Sequence, residues 1–217
     1  MDTLDLGVLV SGNGSNLQAI LDAIACGSLD ARVRVVISNK PGVRAIDRAS
    51  RAGVEAEVIS HNGYATREEF DRALVEALRR SQVQWVVLAG FMRVLGHTFL
   101  DAFPMRIINI HPALLPSFPG IDAQAQALEH RVRVTGCTVH FVDGGVDTGP
   151  IIGQAVVGVR VNDTRDDLAE RILAREHILL VSVLRWISEG KVTVFPTAGR
   201  PRVVVRDVSP FIGLETD

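Results

Sequence analysis

Asn109, His111 and Asp147 are the residues of this chain whose types and spacing could do chemistry together. Asn109 and His111 close the apolar run of INIHPALLPSFPG with one residue between them. On an extended chain, side chains two positions apart leave on the same side. Pro112, Pro116 and Pro119 restrict the segment that follows and limit the entropy lost in ordering it. A lone histidine at a strand end is more often structural than catalytic, but an amide neighbour and a stiffened loop favour the catalytic reading. Asp147 stands in FVDGGVDTGPI between Gly145 and Gly149, where a carboxylate can approach another group closely. Asp143, in the same stretch, reads as a turn residue. If Asp147 faces His111, opposite charge favours the imidazolium. Two donors on one carbonyl oxygen, with a carboxylate to manage the proton, suit acyl transfer without a covalent intermediate.

A second cluster is SGNGSNL. Gly12 and Gly14 allow a tight turn and a close backbone approach, and Ser15 or Asn16 can cap the helix that follows. The free N–H groups and positive end of that helix make Gly14, Ser15 and Asn16 a candidate anion site. An ordinary glycine turn with a cap is the plainer alternative. The third glycine of a dinucleotide loop is replaced by Leu17, and no P-loop lysine is present, so the loop suits a monophosphate. In AGFMRVLG, the apolar Phe91, Met92, Val94 and Leu95 are interrupted by Arg93. Each alone reads as core, while together they could wall a pocket for a flat ring. The histidines form no HxxxH or HxH pattern with acidic partners, so no metal is expected. No GxSxG elbow or activated cysteine is present.

These residues need strands to hold them. LGVLV, VRVVISN, VEAEVIS, WVVLAG and RIINI read as strands. The continuous apolar runs among them indicate strands covered on both faces, as in a parallel sheet. NLQAILDAIACG, RAIDRASRAG and REEFDRALVEALRR read as the intervening helices, the last with acids in its first turn and arginines in its last. GCTVHFVDGG and PIIGQAVVGV alternate, with a glycine turn between, as a later antiparallel pair. RDDLAERILAREHILLVSVLRWISEG reads as one long amphipathic helix. The expected fold is α/β, an open, mostly parallel Rossmann-like sheet with helices on both faces. Ligands of such sheets sit beyond the carboxyl ends of the strands, and every polar cluster above follows a strand.

The length suits one domain over 1–217, with a core over about 1–190 and an edge strand and tail over 191–217. With 47% hydrophobic and 22% charged residues and a net charge of −2, the composition is that of a globular protein without a nucleic-acid-binding stripe. No apolar run approaches the ~20 residues of a membrane span, and the N-terminus lacks the pattern of a signal peptide. The expected location is cytoplasmic. Cys26 and Cys137 read as reduced thiols in the core.

In their order and spacing, VLVSGNGSNLQAI, VVLAGFMRVL, INIHPALLPSFPG and VDTGPII resemble the phosphoribosylglycinamide formyltransferase family. Its members take the formyl group of 10-formyltetrahydrofolate in purine biosynthesis. NIHPxLLP with a later DxGP marks folate-dependent formyltransferases, and SGNGSNL narrows the match to those whose acceptor carries a ribose phosphate. The likeness weakens after about Gly190. It implies the formyltransferase fold, with Asn109, His111 and Asp147 as the catalytic trio. It implies a ribotide site at Gly14, Ser15, Asn16 and Glu176, and a folate site at Arg67, Met92, Arg93, Val94, Leu95 and Asn109. The partners it implies are phosphoribosylglycinamide and formylfolate, with no metal, nucleic acid or membrane, in a monomer or homodimer. One departure stands out: after PG many relatives carry a histidine, where this chain has Asp122 and Gln124. A formylfolate hydrolase, or a formyltransferase acting on another amine, shares the trio. Those relatives normally carry an extra segment before this domain or an extra domain after it, for which the chain is expected to have no room. A non-catalytic nucleotide-binding module would leave the trio unexplained.

Overall fold

Strand β1 (Leu4–Val10) is buried along nearly its whole length, as its unbroken apolar run requires. It leads into α1 (Ser15–Ala25), which buries Leu17, Ile20 and Leu21 at helical spacing. Full burial of such a side chain contributes about 1.5–3 kcal/mol. The computed structural model describes residues 3–208 and 211–212. The chain divides into two compact units, Met1–Asn109 and Ile110–Asp217.

In the first unit the chain continues through β2 (Ala31–Ser38), α2 (Arg44–Arg51), β3 (Ala56–Val58), α3 (Arg67–Arg80), β4 (Trp85–Leu88), α4 (His97–Leu100) and the start of β5 (Ile107–His111), whose last two residues open the second unit. Its strands are all parallel, in the order β3-β2-β1-β4-β5. The chain runs outward from β1 to β2 and β3 on one side, then crosses to β4 and β5 on the other, so the switch point lies beyond the ends of β1 and β4. The stretch VEAEVIS is strand only over Ala56–Val58, at the edge. Helix α3 begins on a capping box, Thr66 with Glu69, and buries Phe70, Leu74, Val75 and Leu78. Asp71 is buried on the same face.

The second unit holds α5 (Ala123–Glu129), β6 (Val134–Phe141), β7 (Ile151–Gly158), α6 (Arg165–Ser188), β8 (Val192–Phe195), β9 (Arg202–Val205) and β10 (Phe211–Ile212). β6 and β7 are antiparallel, as the alternating pattern indicates. α6 is one helix of 24 residues, buried at Leu168, Ile172, Leu179, Val183 and Ile187. Over 191–217 the sequence reading of one edge strand and a tail is too simple. β8 and β9 pair antiparallel in a sheet of their own, and β10 lies parallel to β7. The rest of the expected tail, 209–210 and 213–217, lies outside the described residues.

Cys137 is fully buried, but Cys26 is exposed, which corrects its reading as a core residue. It caps the C-terminal end of α1, and its thiol lies 3.1 Å from Ser28 Oγ. Among the described residues no helix is long and apolar enough to cross a membrane.

Candidate active site

Two loops of the first unit meet at the switch point. The glycine loop turns from β1 into α1 at Gly14, whose φ of 72° is the left-handed conformation that favours glycine. A Cβ there would stand 2.6 Å from Ala45 Cβ and 2.8 Å from Ala45 Cα, so α2 packs directly on the bare backbone. Gly14 itself occupies the N-cap position, which corrects the expectation that Ser15 or Asn16 caps the helix. Ser15 is the first helical residue, no side chain caps the end, and the first turn holds no acid. Those features leave the amides and the positive helix end suited to an anion. Asn16 is buried. Arg48 braces the loop from α2, donating through Nε to the Asn13 carbonyl at 2.8 Å and through a second nitrogen to Gln18 Oε1 at 3.0 Å.

The segment after β4 splits the predicted apolar patch. Phe91 and Leu95 go into the core, at 8% and 6% exposure. Met92 is 66% exposed and Val94 52%, with Arg93 also exposed. The Met92 N–H donates to Ser11 Oγ at 2.8 Å, which joins this loop to the end of β1. Arg67 is exposed on the first turn of α3, beside Gly96.

In the second unit two buried histidines converge on a partly buried carboxylate. His111 Nδ1 lies 3.3 Å from Asp147 Oδ2, and its Nε2–H donates to the Phe118 carbonyl at 2.8 Å. Both neighbours are acceptors, and each ring nitrogen of His111 faces one of them. Asp147 Oδ2 also accepts the Gly120 N–H at 2.8 Å. On the other side of the carboxylate, His140 Nε2 lies 3.7 Å from Asp147 Oδ1, while its Nδ1–H donates to the Phe141 carbonyl at 2.8 Å. Burial pushes the His140 pKa below its ordinary value, helped by the neighbouring His111 and opposed by Phe141 and Asp147.

The turn that presents Asp147 is tightly built. A Cβ on Gly149 would fall 1.8 Å from the Phe141 carbonyl oxygen. Asp143 accepts from the Gly145 N–H at 3.1 Å and the Thr148 hydroxyl at 2.6 Å, the turn role its sequence suggests. Asp147 itself has φ 54°, unusual for a residue with a side chain.

Asn109 sits on β5 with His111, at the period-two spacing expected, and its backbone is paired with Leu88 of β4. Glu176 is buried within the apolar stripe of α6, and its charge adds to the burial that raises the Cys137 thiol. Asp122 is exposed at the N-cap of α5 and forms an ion pair with Arg165 at 2.7 Å, so it braces the start of α6. Gln124 follows in the first turn of α5. Sequence reasoning passed over His140 and Asp71. The available signals were a histidine in an alternating strand just before the acidic turn, and an acid on the apolar stripe of a helix.

The formyl transferase family model matches residues 5–184. The trifunctional purine biosynthetic protein adenosine-3 of Drosophila melanogaster is 46% identical over 88% of this chain, and the chain spans only 14% of that protein. The phosphoribosylglycinamide formyltransferase of Escherichia coli is 39% identical, over 90% of this chain and 92% of that one. Among solved structures, the glycinamide ribonucleotide transformylase 1 of Symbiobacterium toebii superposes with a TM-score of 0.90 at 50% identity, covering 94% of this chain and 95% of that one. With strand order, glycine turn and His–Asp cluster already in view, these matches lead to one conclusion: the chain belongs to the formyl transferase family, in its phosphoribosylglycinamide formyltransferase branch.

Proposed function

We propose that the protein transfers the formyl group of 10-formyltetrahydrofolate to the amine of phosphoribosylglycinamide, a step of purine biosynthesis. The observation that carries this reading is the buried His111, whose two ring nitrogens face the Asp147 carboxylate and a backbone carbonyl. The Escherichia coli and Symbiobacterium toebii relatives carry the same chemistry in their names.

The ribotide phosphate binds the amides of Gly14, Ser15 and Asn16, and Glu176 contributes to ribotide binding. The folate lies along Met92, Arg93, Val94 and Leu95, with Arg67 and Asn109. The amine nitrogen attacks the formyl carbon and forms a C–N bond while the carbonyl pair moves onto oxygen. Asn109 and the His111 imidazolium donate to that oxyanion. Collapse breaks the bond from carbon to the folate N10, and the proton lost by the amine reaches N10. Asp147 keeps the charge on His111, and each oxyanion donor is worth about 10²–10³-fold in kcat. The His111 Nε2–H is held by the Phe118 carbonyl at 2.8 Å, so the formyl oxygen must displace that carbonyl to receive the donor.

The test follows folate deformylation by absorbance, with phosphoribosylglycinamide and with water alone. Ribotide-dependent turnover, reduced at least about 100-fold in His111→Ala and Asp147→Asn with the fold intact, is the expected result. Equal turnover without ribotide would make the chain a hydrolase. Near-normal rates in either variant would remove that residue from the mechanism.

A further inference from the structure

The 92–96 loop is pinned at both ends by buried side chains that none of the roles above employs. At its start, the Met92 N–H donates to Ser11 Oγ at 2.8 Å, and the Ser11 hydroxyl donates to Asn39 Oδ1 at 2.6 Å. At its end, the Gly96 N–H donates to Asp71 Oδ2 at 2.7 Å. Between these points Met92, Arg93 and Val94 project outward while Leu95 turns into the core.

Asp71 is an expensive way to make one hydrogen bond. It is 1% exposed on the stripe of α3 that otherwise holds Phe70, Leu74, Val75 and Leu78. Its second oxygen, Oδ1, is buried with no hydrogen-bond partner. Burial raises its carboxyl above the ordinary 3.8, although the Gly96 N–H and the Arg67 charge oppose the rise. A buried polar atom without a partner costs free energy, and an aliphatic residue at this position would avoid that cost. Asn39, at the other anchor, is likewise 1% exposed and leaves Nδ2 without a partner. The approach at Gly96 is close as well. A Cβ there would lie 2.7 Å from Asp71 Oδ2 and 3.3 Å from Arg67 Nε, so the carboxylate reaches bare backbone.

We propose that Asp71 and Ser11 are positioning residues that clamp the 92–96 arch in the shape that receives the folate co-substrate. The inference rests on the formyl-transfer reading above. Neither residue needs to touch the folate. With the clamp intact, the arch is ordered before binding. Without it, the competent conformer becomes a fraction of the ensemble and the apparent affinity falls by that fraction.

The decisive variant is Asp71→Leu in the full chain, since leucine suits the stripe and relieves a buried carboxyl. It should melt at or above the wild-type temperature, yet raise KM for 10-formyltetrahydrofolate about tenfold. KM for the ribotide should stay near wild type, and kcat at saturating folate should fall far less than KM rises. Asp71→Asn, whose amide oxygen can still accept from Gly96, should recover most of the affinity. Ser11→Ala should move the folate KM in the same direction. An unchanged folate KM in Asp71→Leu, or equal rises for both substrates, overturns the clamp. An unchanged folate KM in Ser11→Ala removes that end of it. If the wild-type chain transfers no formyl group and binds no folate analogue, the formyl-transfer reading fails, and the clamp with it. Wild-type transfer alongside an unaffected Asp71→Leu sinks the clamp alone.

Discussion

Replacing Gly14 with alanine should cost stability that the same change at Gly12 does not. At Gly14 the backbone has φ 72°, and holding an L-residue there costs roughly 1–2 kcal/mol. The new methyl would also stand 2.6 Å from Ala45 Cβ and 2.8 Å from Ala45 Cα. Carbon atoms pack comfortably at about 3.5–4.0 Å, so the start of α2 must retreat by roughly 1 Å. The Ala45 N–H bond to the Gly12 carbonyl at 3.2 Å ties α2 to the same loop and resists that retreat. Overpacking of this kind costs about 1–3 kcal/mol. The two terms together come to about 2–5 kcal/mol. For a chain of this size that is a fall in Tm of about 4–20 °C. At Gly12 a Cβ meets nothing within 4 Å and φ lies outside the left-handed region, so the change should stay within about 0.5 kcal/mol. Calorimetry of the two variants reads the difference, and titration with the ribotide shows whether the retreat of α2 also weakens the phosphate contact proposed for this loop. If Gly14→Ala melts with the wild type, or Gly12→Ala falls as far, the close packing of α2 on the glycine loop does not define its shape.

Other outcomes follow from burial and capping. Because the His140 pKa is lowered by burial in the fold, the unfolded chain binds the extra proton first on acidification. The stability from keeping His140 neutral is full above its ordinary 6.5 and is lost as the pH falls through that value toward the folded one. Urea unfolding at pH 7.5 and at pH 5.5, in wild type and His140→Phe, should show this slope weakened in the variant (pH values about one unit either side of the ordinary value). A thiol reagent should titrate Cys26 in the native protein and reach Cys137 only on unfolding, since burial shields that thiol and pushes its pKa up. Thr66→Ala should cost about 0.5–2 kcal/mol by removing the acceptor of the Glu69 N–H. It should also fray the turn that carries Arg67, visible as faster amide exchange there.

Much of the first unit was legible because its strands are buried on both faces and read as unbroken apolar runs. The limits were equally physical. β3 was over-read because an edge strand pairs along only part of its apolar length. α4 and α5 are too short for a helical period to emerge. The helix cap was misassigned because serine and asparagine are the usual caps, while here a left-handed glycine sits first. His111 and Asp147 stand 3.3 Å apart, and both lie in motifs bounded by glycine or proline, which is what drew attention to them in the sequence. Asp71 was hidden in plain view: acids near a helix N-terminus look like dipole partners, and only the burial of this one sets it apart.

The left-handed backbone at Asp147 narrows what that position can hold without strain. Few side chains tolerate such a φ, and asparagine, aspartate and glycine are the ones that do so cheaply. Any other side chain there meets roughly 1–2 kcal/mol of backbone strain, a cost that Gln82, Met105, Phe118 and Arg131 bear elsewhere in the chain. A glutamate, which would preserve the acid, meets the backbone penalty as well as the wrong reach. The geometry of one peptide unit thus sets a steric cost against most exchanges, while glycine and asparagine escape it and lose only the charge.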